Sequence, residues 1–380
     1  MTDDPALTVL CAPDQLGTLC LSIVATRHYT FVADGRCRPT EEQPPLVLEP
    51  RIDEDQPLRL ARDLDAYGGK PATDLVIQGH AYNPAHRPEF GCGVQIGDRG
   101  KAIRVFGDRN VELVGGALRF SDPEPREQIP LSYAYAYGGH DALAAATAGE
   151  AIDPLRPHMR EQDAEAAAIW SVFAYPRNPI GRGWLIEPTA EAVEQLRLPN
   201  LEDPADLLTP ETLAVGHPGR WVERPLPQAC EWIDHGWFPR CAFWGIVPPY
   251  VSEATRALEC TRFTMPDDLL DEQHPPEGDP RASCGTALDL QFPYLRGDET
   301  VTLHALSPHT QRLDLRLPGE RPRLELAPRA GKILRLKPLL QTVLIEPDTG
   351  RLTLVWRGST PCRRRYLAEE LAAMPRRALW

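Results

Sequence analysis

Glu202 and Asp203 follow Pro199 and Asn200 in a proline-rich stretch, and Asp141 stands beside a glycine-rich centre. Two carboxylates suit hydrolysis, one as general acid and the other as base. In loops of this kind they more commonly accept backbone hydrogen bonds. Cys230 or Cys284 with His217 or His235 would make a thiol–imidazole nucleophile pair if folding brought them together. His80, His86 and Cys92 lack the close ligand pairs of a structural zinc site, as do His304 and His309, so no metal is expected. The chain has no Gly-Lys-Ser or Gly-Lys-Thr phosphate loop, no Gly-x-Ser-x-Gly turn and no His-Glu-x-x-His pair. No catalytic residue and no cofactor emerges from the pattern.

Contact chemistry is the alternative to catalysis. Tyr133, Tyr135 and Tyr137 alternate with Ser132, Ala134 and Ala136, and Gly138-Gly139 ends the run. The alternation predicts a strand whose tyrosine face packs over a neighbour or forms a contact surface. Trp184, Trp221, Trp232, Trp237 and Trp244 cluster in a loop-rich stretch and are expected to supply exposed anchors. Arg296-Gly-Asp298-Glu299 reads as a turn entering a strand at Thr300, and Arg363-Arg364-Arg365 as a solvated helix face.

The elements that must position these residues are short. Proline makes up 40 of 380 residues, roughly twice the usual share, and each proline removes an amide donor and fixes φ. Helical bundles and helical solenoids are therefore excluded. Strand patterns occupy 18–32, 74–82, 102–106, 111–120, 300–306, 312–317 and 323–326, with 39–57 a proline- and acid-rich loop. Residues 342–346 and 351–356 flank Pro347-Asp-Thr-Gly350, a hairpin with glycine closing its turn. Helices are expected at Arg160–Trp170, Thr189–Leu196 and Arg363–Met374. The predicted class is mainly β, with antiparallel sandwich- or barrel-like sheets, a small helical insertion and a C-terminal helix. Three regions follow, as separate units or as one continuous fold: an N-terminal β-rich part (1–140), a loop-rich part with short helices (141–285), and a C-terminal β part with the terminal helix (286–380).

Net charge is −13, which disfavours nucleic acid as partner. From Arg321 onward 13 basic and 5 acidic residues give +8, so the first 320 residues carry −21. No apolar run approaches the length needed to cross a bilayer, the N-terminus is acidic, and nine cysteines form no tight pairs. The expectation is a cytoplasmic protein with reduced thiols and no membrane insertion.

Seven segments, in order, carry a family resemblance: Lys70-Pro-Ala-Thr-Asp-Leu-Val-Ile-Gln-Gly-His80, Arg104-Val-Phe-Gly-Asp-Arg109, Pro130-Leu-Ser-Tyr to Tyr137-Gly138-Gly139, Asn178-Pro179-Ile-Gly181-Arg-Gly183, Leu198-Pro-Asn200-Leu-Glu202-Asp203-Pro204, Pro293-Tyr-Leu-Arg296-Gly-Asp298-Glu299, and the hairpin Thr342 to Trp356-Arg357. Together they resemble the bacterial family called domain of unknown function 2169, linked to type VI secretion. The resemblance implies a non-catalytic adaptor or chaperone. It would bind a secreted effector toxin and load it onto the spike, at the valine–glycine-repeat trunk (VgrG) or the proline–alanine–alanine–arginine (PAAR) tip. A structural component of the apparatus, or a hydrolase using Asp141, Glu202 or Asp203, are the alternatives. The candidate partner-binding set is Tyr137, Gly138, Gly139, Asn178, Pro179, Gly181, Gly183, Asn200, Glu202, Asp203, Arg296, Asp298 and Trp356 from these segments, with Trp221 and Trp237. The chain departs from the family pattern at Arg281–Gln291, where members carry an aromatic–Asn–Ala–Pro-Pro run.

Overall fold

Leucine and valine alternate with polar residues in Thr300–His304 and Arg312–Arg316, and the chain uses that period of two directly. Val301, Leu303, Leu313 and Leu315 are buried, while Arg312, Asp314 and Arg316 stay in water. In the computed structural model, described over residues 6–14, 17–56, 59–66, 69–147, 173–243, 280–329 and 331–380, such strands build two large sheets and several small ones.

The five-stranded sheet is antiparallel throughout, in the order Leu201–Glu202, Arg99–Phe106, Glu89–Ile96, Thr300–His304, Arg312–Arg316. The seven-stranded sheet runs Leu7–Pro13, Leu19–Phe31, Arg351–Pro361, Leu339–Glu346, Thr73–Ile77, Gln291–Phe292, with Cys37–Pro39 added beside Leu19–Phe31. Within it only Leu339–Glu346 and Thr73–Ile77 pair in parallel. The two sheets share one apolar cluster, in which Leu75, Ile77, Val343 and Leu354 meet Val94, Ile103, Leu303 and Leu315. The mainly β, largely antiparallel class is what the molecule has, with a few short helices. Strands from residues 7–77 and 291–361 lie in the same sheet, so both ends of the chain close one core.

A three-stranded sheet, ordered Lys332–Leu336, Arg323–Arg329, Arg376–Leu379, packs Leu324, Leu326 and Leu336 onto Leu7, Val9, Leu21 and Ile23. The hairpin at Pro347–Gly350 forms, with Gly350 at φ 64°. Thr189 caps the helix Ala190–Gln195, its Oγ1 accepting from Ala192 N at 3.2 Å.

Two expectations change. Residues 131–136 are not a strand, and only Tyr137 enters one, the two-residue Tyr137–Gly138. The carboxylate of buried Glu231 accepts from Ser132 Oγ (2.7 Å) and Tyr133 N (2.8 Å), and Ser132 Oγ accepts from Ala134 N. These bonds wind Tyr133–Tyr135 into a 3₁₀ turn, so the tyrosines diverge. The terminal helix covers only Ala368–Ala373, since Pro375 cannot continue it, and Arg376–Leu379 then joins the three-stranded sheet as a strand too short for alternation to reveal. The helix expected at Arg160–Trp170 lies outside the described residues, as does Trp244.

Candidate functional site

Gly138, Gly139, Asn178, Gly181 and Gly183 come together as one knot. Tyr137–Gly138 and Arg182–Gly183 pair in parallel. Asn178 is fully buried, and its Nδ2 donates to the carbonyls of Tyr133 (2.8 Å) and Tyr137 (3.0 Å). Its own carbonyl accepts from Gly139 N at 2.8 Å. The knot requires glycine, as Gly138 and Gly181 show. Gly138 has φ 147° and a Cβ there would stand 2.1 Å from Asn178 O, while a Cβ on Gly181 would stand 2.4 Å from Asn178 Nδ2. Pro179 fixes φ between them.

Asn200 ties this knot to the five-stranded sheet. Its Oδ1 accepts from Arg182 at 2.8 Å, its N donates to Tyr135 O, and its Nδ2 donates to Phe106 O at 3.1 Å. One residue pair further, Arg109 and Glu202 form a buried ion pair, and Glu202 Oε2 accepts from Leu208 N at 2.8 Å. Burial pushes the Glu202 carboxyl upward against the pull of Arg109. Asp203 lies in a surface turn, accepting from Ala205 N at 2.8 Å.

The knot floors an open cleft of about 840 Å³. Gly138, Gly139, Ile180 and Gly181 lie below, and Asp108, Arg126, Arg182 and Arg197 are among the charged side chains around it. Arg126 pairs with Asp108 at 2.7 Å, and the Arg182 guanidinium sits 4.1 Å from the centre of the Tyr135 ring. The rim therefore offers cations, amides and a stacked guanidinium to a polar or acidic surface. Arg109 and Arg182 stand inside two of the motif segments without a role assigned to them, and Arg126 and Arg197 lie outside those segments. The Arg109–Glu202 pairing spans 93 residues, which no local spacing exposes.

The other candidates lie elsewhere. Trp221 and Trp237 are each 1% exposed, and Trp184 and Trp232 are also buried, so the expectation of exposed anchors is overturned at these four residues. The reason is packing: Trp237 meets Tyr133 edge-on at 5.6 Å, and Trp221 meets Phe238 at 5.3 Å. Tyr137 meets Tyr175 at 5.3 Å inside the core, which removes the tyrosine contact face as well. Trp356 is fully buried beneath Gly297, where a Cβ would come within 2.9 Å of the indole. The Glu299 carboxylate accepts from Arg296 N (2.7 Å) and Gly297 N (2.9 Å), leaving the Arg296 and Asp298 side chains exposed on the turn.

For chemistry the carboxylates are already engaged. Asp141 accepts from Ala144 N and Ile186 N, both at 2.9 Å. His217 Nδ1 accepts from Gly219 N, His235 faces Asp63 at 3.0 Å, and burial raises the Cys230 thiol to about 12. His80 Nδ1 lies 2.6 Å from Asp348, while Cys92 is buried in the core. Among the described residues no group of three or more His, Cys, Asp or Glu side chains is placed to hold a metal, and no helix is long and apolar enough to cross a membrane.

The motif segments mostly touch one another: Gly138 on Asn178, Asn200 on Arg182, Arg109 on Glu202, His80 on Asp348, Gly297 on Trp356. No curated protein and no solved structure matches the chain. The family model described as an uncharacterized protein conserved in bacteria, DUF2169, matches residues 16–357. With the matched span covering nearly the whole fold, the chain belongs to the DUF2169 family.

Proposed function

We propose that this protein is a cytoplasmic, non-catalytic adaptor that binds a secreted effector toxin and hands it to the type VI spike, at its trunk or its tip. The observation that carries the reading is the cleft floor. Segments from residues 136–140, 178–184 and 198–202 lock into a hydrogen-bonded knot below an open, charged cleft. A surface preset in this way loses little conformational entropy on association, which favours binding. Catalysis would instead need a carboxylate or thiol poised for proton transfer, and Asp141 and Glu202 spend both oxygens on structural bonds.

The test is affinity purification of the tagged protein from cells with an assembled secretion system, followed by mass spectrometry. Recovery of a spike or tip protein with a toxin, lost when Arg126 and Arg197 on the exposed rim are both changed to Glu, supports the adaptor. Partner-free protein under those conditions overturns it. Recovery undiminished by the rim changes moves the contact away from the cleft.

A further inference from the structure

The three-stranded sheet has two unlike faces. Its inner face buries Leu324, Leu326 and Leu336 against the large sheet. Its outer face carries Arg323, Glu325, Arg335 and Arg377, because Glu325 pairs with Arg335 on one side and Arg377 on the other. Glu325 lies under three guanidiniums: Arg323 at 3.2 Å, Arg335 at 3.3 Å, and Arg377 Nε donating at 2.5 Å. One carboxylate against three guanidiniums leaves two positive charges. Each guanidinium has five N–H donors, of which Glu325 engages only a part.

The same sheet ends in an open edge. Among the described residues, Lys332–Leu336 pairs with Arg323–Arg329 alone. Ile333, the second residue of that edge strand, is 60% exposed, and the Arg335 side chain two residues on is 75% exposed. A strand edge with one flank unpaired presents its outward N–H and C=O groups to any extended chain. Positive charge on an edge deters neutral and basic strands. It selects for an acidic one, whose carboxylates on the outer face would meet Arg335 beside Ile333 while its apolar side chains turn to the inner face with Leu334 and Leu336.

We propose that the Lys332–Leu336 edge docks an acidic, extended segment of a partner protein by strand addition, with the Arg323–Arg335–Arg377 face as its electrostatic guide. Neither the type VI role nor the cleft is needed for this docking, and the rival occupant is a second copy of this chain, whose first 320 residues carry −21.

The probe is a fluorescein-labelled peptide of alternating glutamate and valine, about eight residues long to match an ordinary strand, with a lysine-for-glutamate peptide beside it. Anisotropy with the full chain should show binding of the acidic peptide only, weakening about tenfold in Lys332→Glu/Arg335→Glu and as salt rises. Lys332→Ser/Arg335→Ser, which adds no charge beside Glu325, should weaken binding in the same direction without loss of fold. Hydrogen exchange should show new protection confined to the amides of 332–336. The proposal is overturned if the acidic peptide does not bind, if either double variant binds it equally well, or if protection appears elsewhere. It is also overturned if sedimentation finds a dimer with 332–336 already protected before peptide is added, since the edge then belongs to a second copy.

Discussion

Gly138 lies so close to the backbone carbonyl of Asn178 that a Cβ on the glycine would stand 2.1 Å from the oxygen, at a φ of 147°. Both the contact and the dihedral exclude a side chain. Gly138→Ala is expected to lower unfolding free energy by about 3 kcal/mol in urea titrations. Gly91→Ala, where a Cβ meets nothing within 4 Å, serves as the control and should stay within about 0.5 kcal/mol of wild type. Equal effects at the two sites would mean that the knot tolerates opening.

The buried tryptophans give the second prediction. Trp221 and Trp237 each fill core volume against an aromatic neighbour. Replacing either with Ala should cost about 3–5 kcal/mol, read by chemical denaturation. A variant that retained full stability would remove these residues from the core.

Part of this was legible in the sequence. The alternation at 300–304 and 312–316 and the Asp348-Thr-Gly350 turn are local signals, and each became the element it specifies. The helix expected over Thr189–Leu196 forms as Ala190–Gln195, with Thr189 as its cap. The tyrosine run failed because its conformation is set by Glu231, about a hundred residues away, which no periodicity records. The tryptophans failed for a related reason: composition shows that aromatics cluster, whereas burial depends on which loops fold over them. In the candidate site the glycines, Asn178 and Arg109 were visible within motifs, but Arg126 and Arg197 around the cleft were not, since only the folded chain brings them to it.

His28 supplies a pH dependence. Burial, with Arg62 and Arg351 nearby, lowers its imidazole from the ordinary 6.5 to about 4, and its Nδ1 lies 3.0 Å from Thr353 Oγ1. The unfolded chain takes up this proton near 6.5 and the folded chain only near 4. Between those values the unfolded state binds more protons, so stability falls as pH drops through the window and levels off below it. The ring is half-buried, so solvent screening reduces the effect to about 1–2 kcal/mol. In His28→Gln this part of the pH profile should vanish, measured as the wild-type-minus-variant difference in unfolding free energy from pH 4 to 7. A difference that is flat across the window would show that His28 titrates normally in the folded chain.

Arg109 and Glu202 test whether the floor of the cleft depends on its buried charge. Removing Arg109 strands a carboxylate that burial already pushes upward. Arg109→Leu should therefore lose about 3–5 kcal/mol near neutral pH, while Arg109→Leu/Glu202→Leu should recover most of the loss, since an apolar pair has no charge to desolvate. The single variant has a further signature. With its carboxyl raised in the folded state, it binds more protons folded than unfolded, so its deficit should grow as pH rises above the ordinary glutamate range and shrink on acidification. A double variant as weak as the single would instead place the loss in the Arg109 contacts to Pro199 O and the Phe106 ring, which lies 3.9 Å from the guanidinium.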